Sequence, residues 1–134
     1  MLARREHSRQ ELERKLLPHA ENPEEIAPLL AEFEQRGWLS ERRFAEELVA
    51  ARGRRYGAQR IAHELRGKGV SDETISGALA GLKESEVEAA RAVWQKKFGA
   101  LPASASDKAR QIRFLQGRGF SFDVIRRILR GDDD

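Results

Sequence analysis

The chain has 134 residues, 35% of them charged and 7% aromatic, so any core is thin and mostly aliphatic, which suits packed helices better than an enzyme with a deep pocket. It has no cysteine, which excludes disulfides, thiolate metal sites and a cysteine nucleophile; no apolar run approaches the ~18 residues of a membrane span. The net charge of +3 hides an asymmetry: residues 1–50 carry 8 basic and 11 acidic side chains, residues 51–131 carry 17 and 8, and Asp132, Asp133 and Asp134 close the chain. A basic body of this kind is expected to meet a polyanion or an acidic protein groove. Met1 leads directly into Arg4-Arg5-Glu6 with no signal-peptide pattern, so a soluble, cytoplasmic protein is expected.

Ser8-Arg9-Gln10-Glu11 is a capping box, with Leu12 and Leu16 on one face of the helix it opens. Residues before Ser8 repeat the spacing found before later serines, so the chain is expected to begin inside a helix. Asn22-Pro23 caps a helix over roughly 24–36, with Ile26, Leu29, Leu30, Phe33 and Trp38 as its apolar stripe and Gly37 closing it. Ser40 opens the next, with Phe44 and Leu48 inward, to about Arg54. Gly57 starts a helix that buries Ala58, Ile61, Ala62 and Leu65; residues 71–82 form another. Val87, Ala90, Val93, Trp94 and Phe98 mark a helix from Glu84 to Phe98, closed by Gly99. A short linker over 101–106 leads to helices over 107–117 and from Ser121 to about Arg130. Trp38, Trp94 and Phe114 are all expected in the core, and no stretch alternates with period two, so no sheet is expected.

Gly67-Lys68-Gly69-Val70-Ser71 returns fifty positions later as Gly117-Arg118-Gly119-Phe120-Ser121, and self-similarity at a fixed interval points to a repeat architecture. Ser8, Ser40, Ser71 and Ser121 share one pattern, with His7, Leu39, Val70 or Phe120 before the serine and Leu12, Phe44, Ile75 or Ile125 four after it. That is the hydrophobic staple, which fixes the angle of entry into a helix. The fold expected is all-α, an elongated tandem array of three-helix repeats with about nine helices, divided as 1–55, 56–100 and 101–134.

No catalytic, metal or cofactor site assembles. His7, His19 and His63 lack ligand spacing, and the serines serve as helix caps. What stands out is cationic. Arg52, Arg54, Arg55, Tyr56, Arg60, Arg66 and Lys68 form one run, and Lys108, Arg110, Arg113 and Arg118, continuing to Arg126, Arg127 and Arg130, form another. Arginine forks suit phosphate or carboxylate, and the Tyr56 ring suits base stacking. Gly67 and Gly69 have two readings: an anion site made of backbone N–H groups, or, preferred, a tight bend between helices.

In this order, four stretches resemble the RecX regulatory family across nearly the whole chain: Arg5-Glu6-His7-Ser8-Arg9-Gln10-Glu11-Leu12, Gly37-Trp38-Leu39-Ser40-Glu41-Arg42-Arg43-Phe44, Tyr56-Gly57-Ala58-Gln59-Arg60-Ile61 with Leu65-Arg66-Gly67-Lys68-Gly69-Val70, and Arg118-Gly119-Phe120-Ser121. The resemblance implies a monomeric, non-enzymatic helical protein that binds RecA and the RecA–DNA filament. Such a protein modulates, usually downwards, recombinase, ATPase and SOS co-protease activity in DNA repair and recombination. Contacts to single- or double-stranded DNA are a further expectation, and the alternative is a non-specific single-strand binder that acts by competing for DNA.

Overall fold

The computed structural model describes residues 5–130. These hold eight α-helices: α1 Arg9–Leu16, α2 Ile26–Gln35, α3 Glu41–Arg52, α4 Ala58–Gly67, α5 Asp72–Leu79, α6 Lys83–Lys97, α7 Ala105–Gly117 and α8 Phe122–Leu129. No strand occurs among the described residues. The count falls one short of the nine or so expected. The missing element is the opening helix, which lies largely outside the described residues, while Arg5, Glu6 and His7 are not helical. Two boundaries also move. Residues 71–82 divide into α5 and a tight turn over Ala80–Leu82, and Ser104 caps α7, so the linker is shorter than expected.

The serine pattern is present at each position. Ser8, Ser40, Ser71 and Ser121 accept from the backbone N–H of Glu11, Arg43, Thr74 and Val124, and Glu11 returns a bond to Ser8 to complete the box. Each accepted bond satisfies a donor that a helix start leaves orphaned, a contribution of about 1 kcal/mol. Between the paired helices, Gly69 and Gly119 have φ of +82° and +92°. The N–H of Val70 reaches the carbonyl of Leu65, and that of Phe120 the carbonyl of Leu115. This six-to-one bond closes a helix through a left-handed residue, which glycine adopts at least cost. The N–H groups of Gly69 and Gly119 are spent on Arg66 and Gln116, so the bend, not an anion site, accounts for the glycines.

Three hydrophobic clusters follow one another along the chain. Leu12, Ile26, Leu30 and Leu39 join α1 to α2. Phe44, Ile61, Leu65, Val70, Ile75 and Leu82 join α3, α4 and α5. Ala90, Trp94, Leu115, Phe120, Val124, Ile125 and Ile128 join α6, α7 and α8. In the last, the Trp94 indole donates to Gln111 Oε1 at 2.9 Å, and the Gln111 amide donates to the Ala100 carbonyl at 3.2 Å. Trp94 is core as expected, but Trp38 is 51% exposed, stacked against Phe33 and under the Arg36 guanidinium. The bend at Gly37 is one residue longer than those at Gly69 and Gly119, so Leu39 takes the buried place and Trp38 swings out.

The second and third groups of helices meet through backbone. The N–H of Gly57 donates to the Arg118 carbonyl at 2.8 Å and that of Gln59 to the Gly119 carbonyl at 3.2 Å. Between them, the N–H of Ala58 donates to Glu86 Oε2 at 2.7 Å. Gly57 caps α4 without a side chain, so a buried carboxylate from α6 supplies the missing acceptor.

Candidate functional site

α3 stops at Gly53, and a tight turn in which Arg55 and Tyr56 both donate to the Arg52 carbonyl carries the chain to Gly57. Arg54, Arg55 and Tyr56 therefore emerge in a row at the edge of the junction just described. The last turn of α6 brings Lys96 and Lys97, where cations are also favoured by the helix dipole. The end of α7 brings Phe114 and Arg118. Together these seven side chains line an open groove of about 660 Å³, with Ala92 and Val93 on the α6 side and no carboxylate in its walls. Arg54, Arg55, Lys96 and Lys97 have no acidic partner among the described residues.

A ladder of rings and cations runs through the groove. Arg60 and Arg118 lie over the Tyr56 ring at 4.2 and 5.5 Å, and Arg118 and Lys97 over Phe114 at 5.2 and 5.4 Å. Phe114 packs edge-on against Phe98 at 5.5 Å, and Arg110 lies over Phe98 at 5.4 Å. Arg110, Phe114 and Arg118 share one face of α7 at four-residue spacing, which is why they join in a row. Each stack is worth about 0.5–1 kcal/mol where exposed. It also holds cationic side chains in place before any anion arrives. The Tyr56 ring already carries two guanidiniums, so a nucleic-acid base would have to displace one of them.

Of the residues singled out in the sequence, the structure brings Arg54, Arg55, Tyr56 and Arg118 together. Arg60 sits behind them, donating to the Gly117 carbonyl at 3.1 Å. Others are engaged elsewhere. Arg52 makes a two-pronged pair with Glu64, both bonds 3.1 Å, and Glu64 holds the guanidinium charged by raising its pKa. Arg66 pairs with Asp72 at 3.2 Å, and Lys68 with Glu11 at 3.6 Å. Arg110 pairs with Asp107 at 2.7 Å. Lys108 lies on a separate small groove with Phe122, Arg126 and Arg130, and Arg113 is exposed outside the basic groove. Lys96 and Lys97 are absent from the sequence-derived set. Their signal was an adjacent lysine pair at the end of an apolar helical stripe, overlooked because the arginine runs lay elsewhere.

Among the described residues no group of three or more His, Asp or Glu side chains could hold a metal ion, and no helix is long and apolar enough to cross a membrane.

The family models for the second and third three-helix domains of RecX match residues 40–79 and 84–129. The chain is 46% identical over 133 residues to the regulatory protein RecX of Ralstonia pickettii strain 12J, covering 99% of this chain and 84% of that protein. It is 49% identical over 129 residues to that of Leptothrix cholodnii, covering 96% and 82%, and 50% identical over 125 residues to that of Herbaspirillum seropedicae, covering 93% and 81%. The crystal structure of RecX from Lactobacillus salivarius superposes with a TM-score of 0.84 at 20% identity, over 98% of this chain and 89% of that one. That likeness speaks for the fold, and the sequence relatives speak for the family. The chain belongs to the RecX family of regulatory proteins.

Proposed function

We propose that this chain binds the RecA recombinase and its nucleoprotein filament and lowers recombinase, ATPase and co-protease activity, a role that places it in the cytoplasm. The observation that carries this reading is the convergence of Arg54, Arg55, Lys96, Lys97 and Arg118 on one groove without a carboxylate in its walls. Such a groove concentrates positive potential where an acidic protein surface or a phosphate chain can enter. Family membership supports RecA as the acidic partner. Consecutive helical groups, each with its own core, suit an extended contact along a filament.

The test is a titration of RecA ATPase on single-stranded DNA. Stoichiometric protein is expected to suppress turnover, and unchanged turnover refutes the reading. The same cation density favours a second reading, direct binding of single strands. Counterion release then sets its mark: log affinity falls against log salt with a slope of about −0.7 per phosphate neutralised. RecA association in the absence of DNA counts against that second reading.

A further inference from the structure

The basic groove does not end at Ala92. A second groove, of about 620 Å³, opens between α3 and α6 and shares Arg54 and Ala92 with the first. Its floor is Val49 and Leu82, and its walls carry small side chains, Ala50 and Ala89 among them. On α3 the lining passes from Glu46 through Ala50 to Arg54, and on α6 from Ser85 and Glu88 through Ala92 to Lys96 and Lys97. The second groove thus carries Glu46 and Glu88, while the first carries Arg55, Lys96, Lys97 and Arg118 and no carboxylate, so the two halves differ in charge. From Ser85 to Lys97 the channel follows α6 for roughly 18 Å, about three helical turns.

We infer that the two grooves form one docking channel for an acidic amphipathic segment of a partner protein. Its apolar side chains lie on the Val49–Leu82 floor, and its carboxylates lie among Arg55, Lys96, Lys97 and Arg118. The small wall residues let the backbone of an incoming helix approach closely, as in other helix-in-groove contacts. A nucleic-acid strand fits this channel poorly. It is negative along its whole length, so it meets Glu46 and Glu88 unfavourably, and its backbone has nothing to lay on an apolar floor. The polarity also orients the segment, with its acidic end towards Lys96 and Lys97. This inference rests on the proposed regulatory reading in taking RecA as the source of the segment.

The test compares two variants with wild type. Ala50 is exposed on α3 and outside all three cores, so Ala50→Trp fills the apolar half and leaves the fold intact, which a circular-dichroism melt checks. Lys96→Ala/Lys97→Ala strips the basic half. Association with purified RecA without DNA, and with a labelled thymidine oligonucleotide, is measured for each. Ala50→Trp is expected to weaken RecA association at least tenfold while leaving oligonucleotide affinity within twofold, and the lysine pair to weaken RecA association as well. Wild-type RecA affinity in Ala50→Trp, or an equal loss towards the oligonucleotide, overturns the channel. Wild-type protein that ignores RecA refutes the regulatory reading instead. In that event the channel is judged by amide resonances, using a synthetic helix of about twelve residues, leucine-faced and acidic at one end. Shifts at Ala50, Gly81 and Ala89 support the channel, and their absence overturns it.

Discussion

Gly57→Ala tests the junction that shapes the groove. A Cβ on Gly57 meets the Gly119 carbonyl oxygen at 2.4 Å, its carbon at 2.5 Å and Phe120 Cα at 2.6 Å. All three are backbone atoms on the other side of the junction, with no side chain able to rotate away, so the third helical group must shift bodily. The 2.8 and 3.2 Å bonds from Gly57 and Gln59 then stretch or break. Overpacking of this kind costs about 1–3 kcal/mol, and two weakened hydrogen bonds add roughly 0.5–1.5 kcal/mol each. A total of about 3 kcal/mol corresponds, at roughly 4 °C per kcal/mol for a chain of this size, to a fall in Tm of about 12 °C. Gly67→Ala and Gly117→Ala are the controls. A Cβ at either position meets nothing within 4 Å, and neither residue has positive φ, so each is expected to raise stability by about 0.4–1 kcal/mol. Thermal melts followed by circular dichroism measure all three, and hydrogen exchange at Gln59 reports the junction itself. A Gly57→Ala protein that melts within about 3 °C of wild type, or moves with the controls, refutes the reasoning.

Gln111→Leu leaves the Trp94 indole N–H without its partner inside the third core and removes the bond to the carbonyl of the exposed Ala100, and is expected to cost about 1–3 kcal/mol in urea unfolding. Joint replacement of Arg54, Arg55, Lys96 and Lys97 by alanine is expected to abolish the effect on RecA ATPase. Replacement of Arg52 and Arg66, held by Glu64 and Asp72, is expected to leave it within about threefold, as exposed pairs contribute little. Stability is expected to fall on acidification in two steps, read as Tm against pH. Burial, with Arg5 and Lys15 nearby, holds the His7 pKa below its ordinary 6.5, so the folded state gives up stability as pH drops below 6.5, and His7→Phe removes that step. Burial pushes the Glu11 and Glu41 carboxyls up, but bonds from Ser8 and Arg5 to Glu11, and from Thr74 and Ser71 to Glu41, hold both below 4.5. Their contribution is complete above 4.5 and lost as pH falls through the depressed values.

Local features were legible because they are written in local chemistry. A serine followed by an apolar residue at four places gives the cap and the staple, and all four serines cap their helices. The repeated bend was legible too, although the motif overstated it: only the second glycine of each pair takes positive φ, while Gly67 and Gly117 end helices in open space. Trp38 was misjudged because helical spacing cannot sense one extra residue in a bend. The groove was only half legible. Arg54, Arg55 and Tyr56 are neighbours in sequence, but Lys96, Lys97 and Arg118 reach them through the bonds of Gly57, Ala58 and Gln59 to Arg118, Glu86 and Gly119, and no periodicity encodes a contact of that range. Charge counting could find cations but not their partners, and so grouped Arg52, Arg66 and Lys68, each paired with an acid, together with Arg54 and Arg55.

The two junctions along the chain are built from different materials, and that bears on what the protein can do. The first and second groups of helices meet through side chains, Arg43 with Glu6 at 3.2 Å and Lys68 with Glu11 at 3.6 Å, contacts that salt screens and that long side chains can follow through a change of angle. The second and third meet through backbone bonds at Gly57 and Gln59 and through the buried Glu86 carboxylate, which tolerate little displacement. The basic groove and the apolar trough both straddle the second junction, so their spacing is set by the stiffer of the two. A binding surface that spans two separately cored groups needs such a joint, because every degree of freedom between the groups is lost again on binding. Gly57 and Gly119 bring the two backbones close enough to fix where these arginines and lysines stand.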